Sequence, residues 1–191
     1  MNKTHLTIAL TISLIVNILL IFALTIGPTP TVPEERADET PDTPEEKPFS
    51  SGDTYPFIRV VDGDTVIVGV EGRSEYVRLI GIDSPEPNDP DGPECYATEA
   101  TEHMKELART GTVLLRFESA QGYRDTYGRL LAYVELADGT DLGEKMLRDG
   151  YAREFTYGQG HARRDSYIAA EESARSNATG LWSPETCPVK E

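Results

Sequence analysis

Lysine, histidine, cysteine and tryptophan are all scarce in this chain. Lys3, Lys47, Lys105, Lys145 and Lys190 are its only lysines, and it has three histidines, two cysteines and one tryptophan. No CxxC pair occurs, and His5, His103 and His161 are scattered, which excludes a Cys/His zinc centre. No internal repeat is present, so a solenoid or propeller is excluded. Basic residues are outnumbered, 18 Lys and Arg against 33 Asp and Glu, for a net charge of −15. Long-range attraction of a polyanion is thereby excluded, and any recognition of one has to come from locally placed cations. Abundant acids with little lysine fit a protein that works in high salt, where a Debye length of about 3 Å screens distant repulsion.

The organisation along the chain is tripartite. Residues 1–27 hold an uncharged apolar run from Leu6 to Ile26, preceded by Lys3 and His5. That length spans a bilayer as a helix, and a cleaved signal peptide is the rival reading. Both place the remainder outside the cell, as a membrane-anchored or secreted protein, with the N-terminus inside. No cysteine stands directly after the run, so a lipoprotein anchor is not expected. Residues 28–54 are rich in Pro, Thr and Glu and too poor in apolar surface to offset ordering entropy, so they read as a disordered linker. Residues 55–191 form the globular domain. Residues 48–191 contain 26 acids and 15 bases, a net −11, so the linker does not account for the acidity.

Three short segments of the domain concentrate chemistry: Asp62-Gly63-Asp64-Thr65, Arg78-Leu79-Ile80-Gly81-Ile82-Asp83-Ser84-Pro85-Glu86, and Asp125-Thr126-Tyr127-Gly128-Arg129. They supply carboxylate oxygens suited to a hard cation, and Asp64 and Asp83 are the expected direct ligands. Glu86, with its approach fixed by Pro85, is a spare carboxylate able to take a proton from water. Arg78 and Arg129 offer planar forks that grip two phosphate oxygens at once. This is the equipment for cutting a phosphodiester. Asp62 is expected to reach the cation through water, Thr65 to sit beside it, Asp125 to shape the turn, and Tyr127 to lie next to the phosphate.

These segments resemble the staphylococcal nuclease (thermonuclease) family in order and spacing. The likeness extends to Glu94-Cys95-Tyr96, Leu131-Ala132-Tyr133-Val134 and Gly180-Leu181-Trp182, covering roughly residues 55 to 183. The resemblance implies an OB-type barrel, one Ca²⁺, the Ser84 backbone carbonyl as a further ligand, and endonucleolytic cleavage of DNA and RNA that leaves 3′-phosphate ends. The family usually places tyrosines after the second helix to stack on the base. Here the segment reads Glu154-Phe155-Thr156-Tyr157-Gly158, so Tyr157 stands one place off, with Phe155 the other candidate. A non-catalytic OB module that binds nucleic acid or a protein at the cell surface is the alternative. Such modules lose site residues, whereas this chain keeps Asp64, Arg78, Asp83, Glu86 and Arg129.

The expected fold class is α+β, mainly β: a five-stranded OB barrel with about three helices, acting as a monomer. Strands are predicted at 57–61, 65–70, 76–80, 112–117 and 130–136, with a hairpin turn over Glu71–Ser74. Apolar residues at helical spacing predict a helix from about Ala97 to Ala108. Two more are expected at Leu142–Leu147, with Asp141 and Glu144 as a capping pair, and at about Ala162–Asn177. Cys95 and Cys187, in an exported domain, are expected to form a disulfide that ties the segment after the active-site loop to the C-terminal tail. Trp182 is expected to anchor that tail by packing.

Overall fold

A computed structural model describes residues 51–109, 111–158 and 160–187. The predicted N-terminal span lies outside them, as does all of the linker up to residue 50. Among the described residues no helix is long and apolar enough to cross a membrane.

The domain is built on a closed barrel of five strands: β1 (Thr54–Val60), β2 (Thr65–Val70), β3 (Arg73–Leu79), β5 (Thr112–Arg116) and β6 (Leu130–Glu135). Their order around the barrel is β1-β2-β3-β6-β5, all antiparallel except the β3–β6 pair. The first strand begins earlier than its sequence pattern suggested, because it serves two partners. Thr54–Pro56 pair with β5, and Phe57–Val60 pair with β2 across an irregularity between Phe57 and Arg59. Such a break lets one strand turn a barrel corner. Gly52 and Asp53, assigned to the linker by composition, also pair with Leu115 through their backbones.

The β2–β3 turn is shorter than predicted. Glu71 and Gly72 both have positive φ, and Val70 pairs directly with Arg73, so Arg73 and Ser74 belong to β3. A two-residue loop of this kind matches the right-handed twist of its strands. Alternation along β3 buries Val77 and Leu79 and leaves Arg78 partly accessible at the rim.

Helix α1 (Ala97–Leu107) lies between β3 and β5 in sequence and buries Ala97, Ala100, Thr101 and Met104. Helix α2 (Leu142–Arg148) starts from Asp141, whose carboxylate accepts from the Gly143 and Glu144 amides at 2.9 and 3.2 Å. The expected reciprocal cap does not form, because Glu144 pairs with Arg148 instead. Helix α3 (Arg164–Ser176) buries Tyr167, Ala170 and Ala174 against α2. The core joins barrel and helices through Val66, Leu115, Leu130, Leu142, Met146 and Leu147, all fully buried. Trp182 packs between the guanidinium groups of Arg175 (3.7 Å) and Arg153 (5.7 Å), the tail-anchoring role expected of it.

A second, two-stranded sheet pairs β4 (Ile82–Asp83) with β7 (Arg153–Glu154), an element absent from the sequence reading. It brings the residues just before Glu86 alongside the segment carrying Phe155 and Tyr157.

Candidate active site

The Asp62-Gly63-Asp64 turn sits where β1 hands over to β2, and its tightness has a specific cause. A Cβ on Gly63 would approach the Ser84 side chain at 2.7 Å and Ala100 Cβ at 3.1 Å. Only glycine lets this turn press against both the following loop and α1. The Asp62 carboxylate accepts from the Asp64 amide at 3.1 Å and so fixes the turn from within.

Asp64 is fully buried and held by four donors. Its Oδ1 lies 3.0 Å from Arg78 Nε and accepts from Thr65 Oγ1 at 3.1 Å; its Oδ2 accepts from the Ser84 amide at 2.7 Å and Ser84 Oγ at 3.0 Å. Arg78 also donates to Asp83 at 2.9 Å and to the carbonyls of Leu79 and Ile82 at 2.9 and 2.7 Å. One guanidinium thus stitches Asp64 to Asp83 and closes the β3–β4 corner.

The carboxylates that come within reach of a common point are Asp62, Asp64 and Glu86, whose oxygens lie within 4.8 Å of one another. Asp83, expected beside Asp64 as a ligand, is half-exposed and linked to Asp64 across Arg78. Glu86 is presented by a backbone clasp that the sequence reading did not identify. Its amide donates to Glu94 Oε2 at 2.9 Å, and the Glu94 amide donates to the Glu86 carbonyl at 3.0 Å. Cys95 follows directly and is bonded to Cys187, with Cα atoms 5.8 Å apart, as expected.

Crowded acids resist ionisation. Burial foremost, then the Asp62 and Asp64 charges, push Glu86 up to about 7, with Arg78 opposing. Burial and Asp64 raise Asp62, and burial raises Asp83 despite Arg78. A cluster of hard oxygens whose charges repel one another fits a hard divalent cation, which would remove the repulsion.

Arg129 comes from the 125–129 turn. Asp125 Oδ1 accepts from the Tyr127 and Arg129 amides, both at 2.9 Å, and Oδ2 accepts from Arg129 Nε at 2.7 Å. Burial works against ionisation of Asp125, but the hydrogen bonds and charge of Arg129 prevail and hold its carboxyl below the usual range. The expected turn-shaping role of Asp125 therefore takes a definite form: it orients the arginine. Arg129 Nη1 reaches to 3.5 Å from Thr65 Oγ1, and its Cζ lies 5.6 Å from the Tyr127 ring.

A groove of about 440 Å³ opens beside these arginines, lined among others by Arg78, Arg129, Tyr127, Phe155 and Tyr157. Three of its aromatics are largely free: Tyr127 is 85% exposed, Tyr157 75% and Phe155 47%. Gly81 forms part of its lining for two reasons. Its φ of +83° suits glycine, and any Cβ would collide with the His161 ring. His161 is itself buried beneath the groove, 3.2 Å from Tyr133 OH. Sequence reasoning did not assign it a place, since a lone histidine gives no signal until Gly81 is seen against it.

A model of the family described as staphylococcal nuclease homologue matches residues 76–184. Thermonuclease of Staphylococcus hyicus is 35% identical over 132 residues, which is 68% of this chain and 76% of that protein. Endonuclease YncB of Bacillus subtilis (strain 168) is 35% identical over 127 residues, covering 65% of this chain and 59% of the relative. The SPbeta prophage-derived endonuclease YokF of the same organism is 37% identical over 127 residues, and the chain spans 42% of its length. With the family model covering more than half of the chain and the barrel and acid–arginine cluster in place, the chain belongs to the staphylococcal nuclease family.

Proposed function

We propose that this chain is a Ca²⁺-dependent nuclease that hydrolyses DNA, RNA or both, with the 5′ oxygen leaving and 3′-phosphate ends remaining. The observation that carries the reading is the convergence of Asp62, Asp64 and Glu86 within 4.8 Å, next to Arg78 and beside a groove that also holds Arg129. Asp64, Asp83 and the Ser84 carbonyl would hold the cation, with Asp62 reaching it through water. Bound there, the cation would neutralise charge on the phosphate.

The chain's own groups do the rest. Glu86 takes the proton of the attacking water, the role for which a carboxylate raised toward neutrality is suited. Arg78 and Arg129 donate to the equatorial oxygens, where negative charge grows as phosphorus becomes five-coordinate. Asp125 keeps Arg129 aimed. Tyr127 borders the phosphate, and Tyr157 or Phe155 offers a face on which a base can stack. The N-terminal apolar run supports an activity outside the cell, on a membrane or released from it.

Digestion of single-stranded DNA and of RNA with Ca²⁺, with chelator, and with Mg²⁺ alone tests the reading. Cleavage with Ca²⁺ that chelator stops is expected. Full cleavage in chelator would remove the metal role, and no cleavage of either polymer under any condition would remove the nuclease role.

A further inference from the structure

Most cations of this acidic domain are already matched by a carboxylate. Arg78, Arg116, Arg129, Lys145, Arg148, Arg163 and Arg175 all form ion pairs of 3.3 Å or less. A second groove, of about 330 Å³, departs from that pattern. It is lined by Phe57, Arg59, Val60, Lys105, Ala108 and Arg109: three cations around an apolar floor, with no carboxylate in the lining. Lys105 has one partner, the exposed Glu102 at 2.7 Å. Arg59 and Arg109 have no ion pair among the described residues, and both are exposed.

Helix geometry explains part of this. Lys105 and Arg109 lie at the C-terminal end of α1, where cations offset the helix dipole. It does not explain Arg59, which reaches the same groove from β1 and adds a like charge to it. Gathering three like charges with a single exposed carboxylate partner, Glu102, among them leaves two positive charges unbalanced, which favours an anion at the site.

The position says which anion. Arg59 stands three residues before Asp62, so their Cα atoms are at most about 10 Å apart. That distance is about three nucleotide steps at the roughly 3.4 Å rise per nucleotide of one strand. The first groove contains Arg78, and no residue lines both grooves.

Resting on the nuclease reading above, we infer that the Arg59–Lys105–Arg109 groove binds the sugar–phosphate backbone of the substrate strand at phosphates flanking the one that is cut. The enzyme is then bipartite: aromatic and arginine contacts in the first groove, a sequence-independent phosphate track in the second. An apolar floor suits the sugar edges, and unpaired guanidinium groups suit the phosphates. The site recognises polymer rather than a single nucleotide, which is what an enzyme that cuts within strands requires.

The test compares the full chain with an Arg59→Ser/Arg109→Ser double variant, on a dinucleotide and on a single strand of about 12 nucleotides. Both side chains are exposed and free of ion pairs among the described residues, so folding is preserved. KM for the long strand is expected to rise about 5- to 30-fold, the factor that two exposed charge contacts are worth. Its kcat, and both constants for the dinucleotide, should stay unchanged. Anisotropy of the labelled long strand on the Glu86→Gln protein should show the slope of log affinity against log salt falling by about 1.4 when the two arginines are removed. Arg73→Ser, an exposed arginine at the β2–β3 turn, controls for net charge and should move neither. Equal KM and equal salt slope in the double variant would overturn the inference, as would a dinucleotide KM that rises as much as that of the long strand. If the wild type cut nothing, the nuclease reading would fall, while the anisotropy would still decide whether the groove holds a strand.

Discussion

Replacing Glu86 with Gln should make the metal-free protein more stable and the enzyme nearly inactive, and the first effect follows from electrostatics alone. In the fold, Glu86 is shifted from an ordinary 4.5 up to about 7 by burial and by the Asp62 and Asp64 charges. An acid whose folded pKa is raised binds its proton more tightly in the native state than in the unfolded one. Stability therefore falls as pH rises from 4.5 to about 7 and is level above that. That rise corresponds to about 3.4 kcal/mol. Solvent reaches this half-buried carboxylate, so screening reduces the net effect to about 1–2 kcal/mol. Glutamine has the volume of the protonated acid and no charge. Urea unfolding in chelator should then give equal stability for wild type and variant near pH 4, and a variant about 1–2 kcal/mol more stable near pH 8. Saturating Ca²⁺ should erase that advantage, because the cation removes the repulsion. Single-turnover cleavage should meanwhile fall by at least about 10²-fold, the lower end for losing a general base. A variant less stable than wild type at pH 8 in chelator, or a difference that does not vary with pH, would refute the account of the acidic cluster.

Ca²⁺ should restore chelated enzyme better than Mg²⁺, which holds its waters more tightly and demands a stricter octahedron; titration of activity against each ion checks this. Reducing Cys95–Cys187, 92 residues apart, should cost about 4–5 kcal/mol in the chain-entropy model, read as a lower urea midpoint, with the native bridge visible by non-reducing mass spectrometry. Leu115→Ala, at a fully buried barrel position, should cost about 2–5 kcal/mol in the same unfolding assay.

Most of the barrel was legible because local pattern and tertiary role agree. β2 is a β-branched run whose first four residues are all buried in the barrel, α1 repeats small apolar residues at helical spacing, and the strand order follows from the family likeness. The misses share a cause. The turn after β2 was drawn too long because Glu71 at positive φ gives no compositional signal, unlike glycine. The β4–β7 pair was invisible because two-residue strands carry no periodicity and their partners, Ile82 and Glu154, lie 72 residues apart. At the site, the residue types were readable from three motifs, but the contacts that hold them were not. Arg78 binds both Asp64 and Asp83, and the β1–β2 turn brings Asp62 and Asp64 within reach of Glu86. The Glu86–Glu94 clasp depends on a loop closing on itself, which no spacing rule encodes.

The two arginines, alike in proposed chemistry, should separate in stability. Arg78 makes four contacts, at 2.7–3.0 Å, to Asp64, Asp83, and the Leu79 and Ile82 carbonyls. Asp64 is fully buried, so Arg78→Ala leaves an uncompensated interior charge and two carbonyls without that donor. Breaking such a pair costs about 3–5 kcal/mol; Thr65 and Ser84, which still donate to Asp64, favour the lower end. Arg129 has one close ion pair, to Asp125, with looser approaches to Thr65 and the Tyr127 ring at the edge of the groove. Arg129→Ala should thus cost no more than about 1 kcal/mol of stability, while lowering kcat by about 10²–10³-fold, the scale of losing one donor aimed at transition-state charge. Arg129→Lys should recover little activity, since a point charge cannot reproduce the fork. Urea unfolding and single-turnover cleavage of both alanine variants give the comparison. Equal destabilisation at the two positions would mean that Arg78 does not hold Asp64 in solution, and that the corner joining β3 to β4 is fixed by something other than this guanidinium.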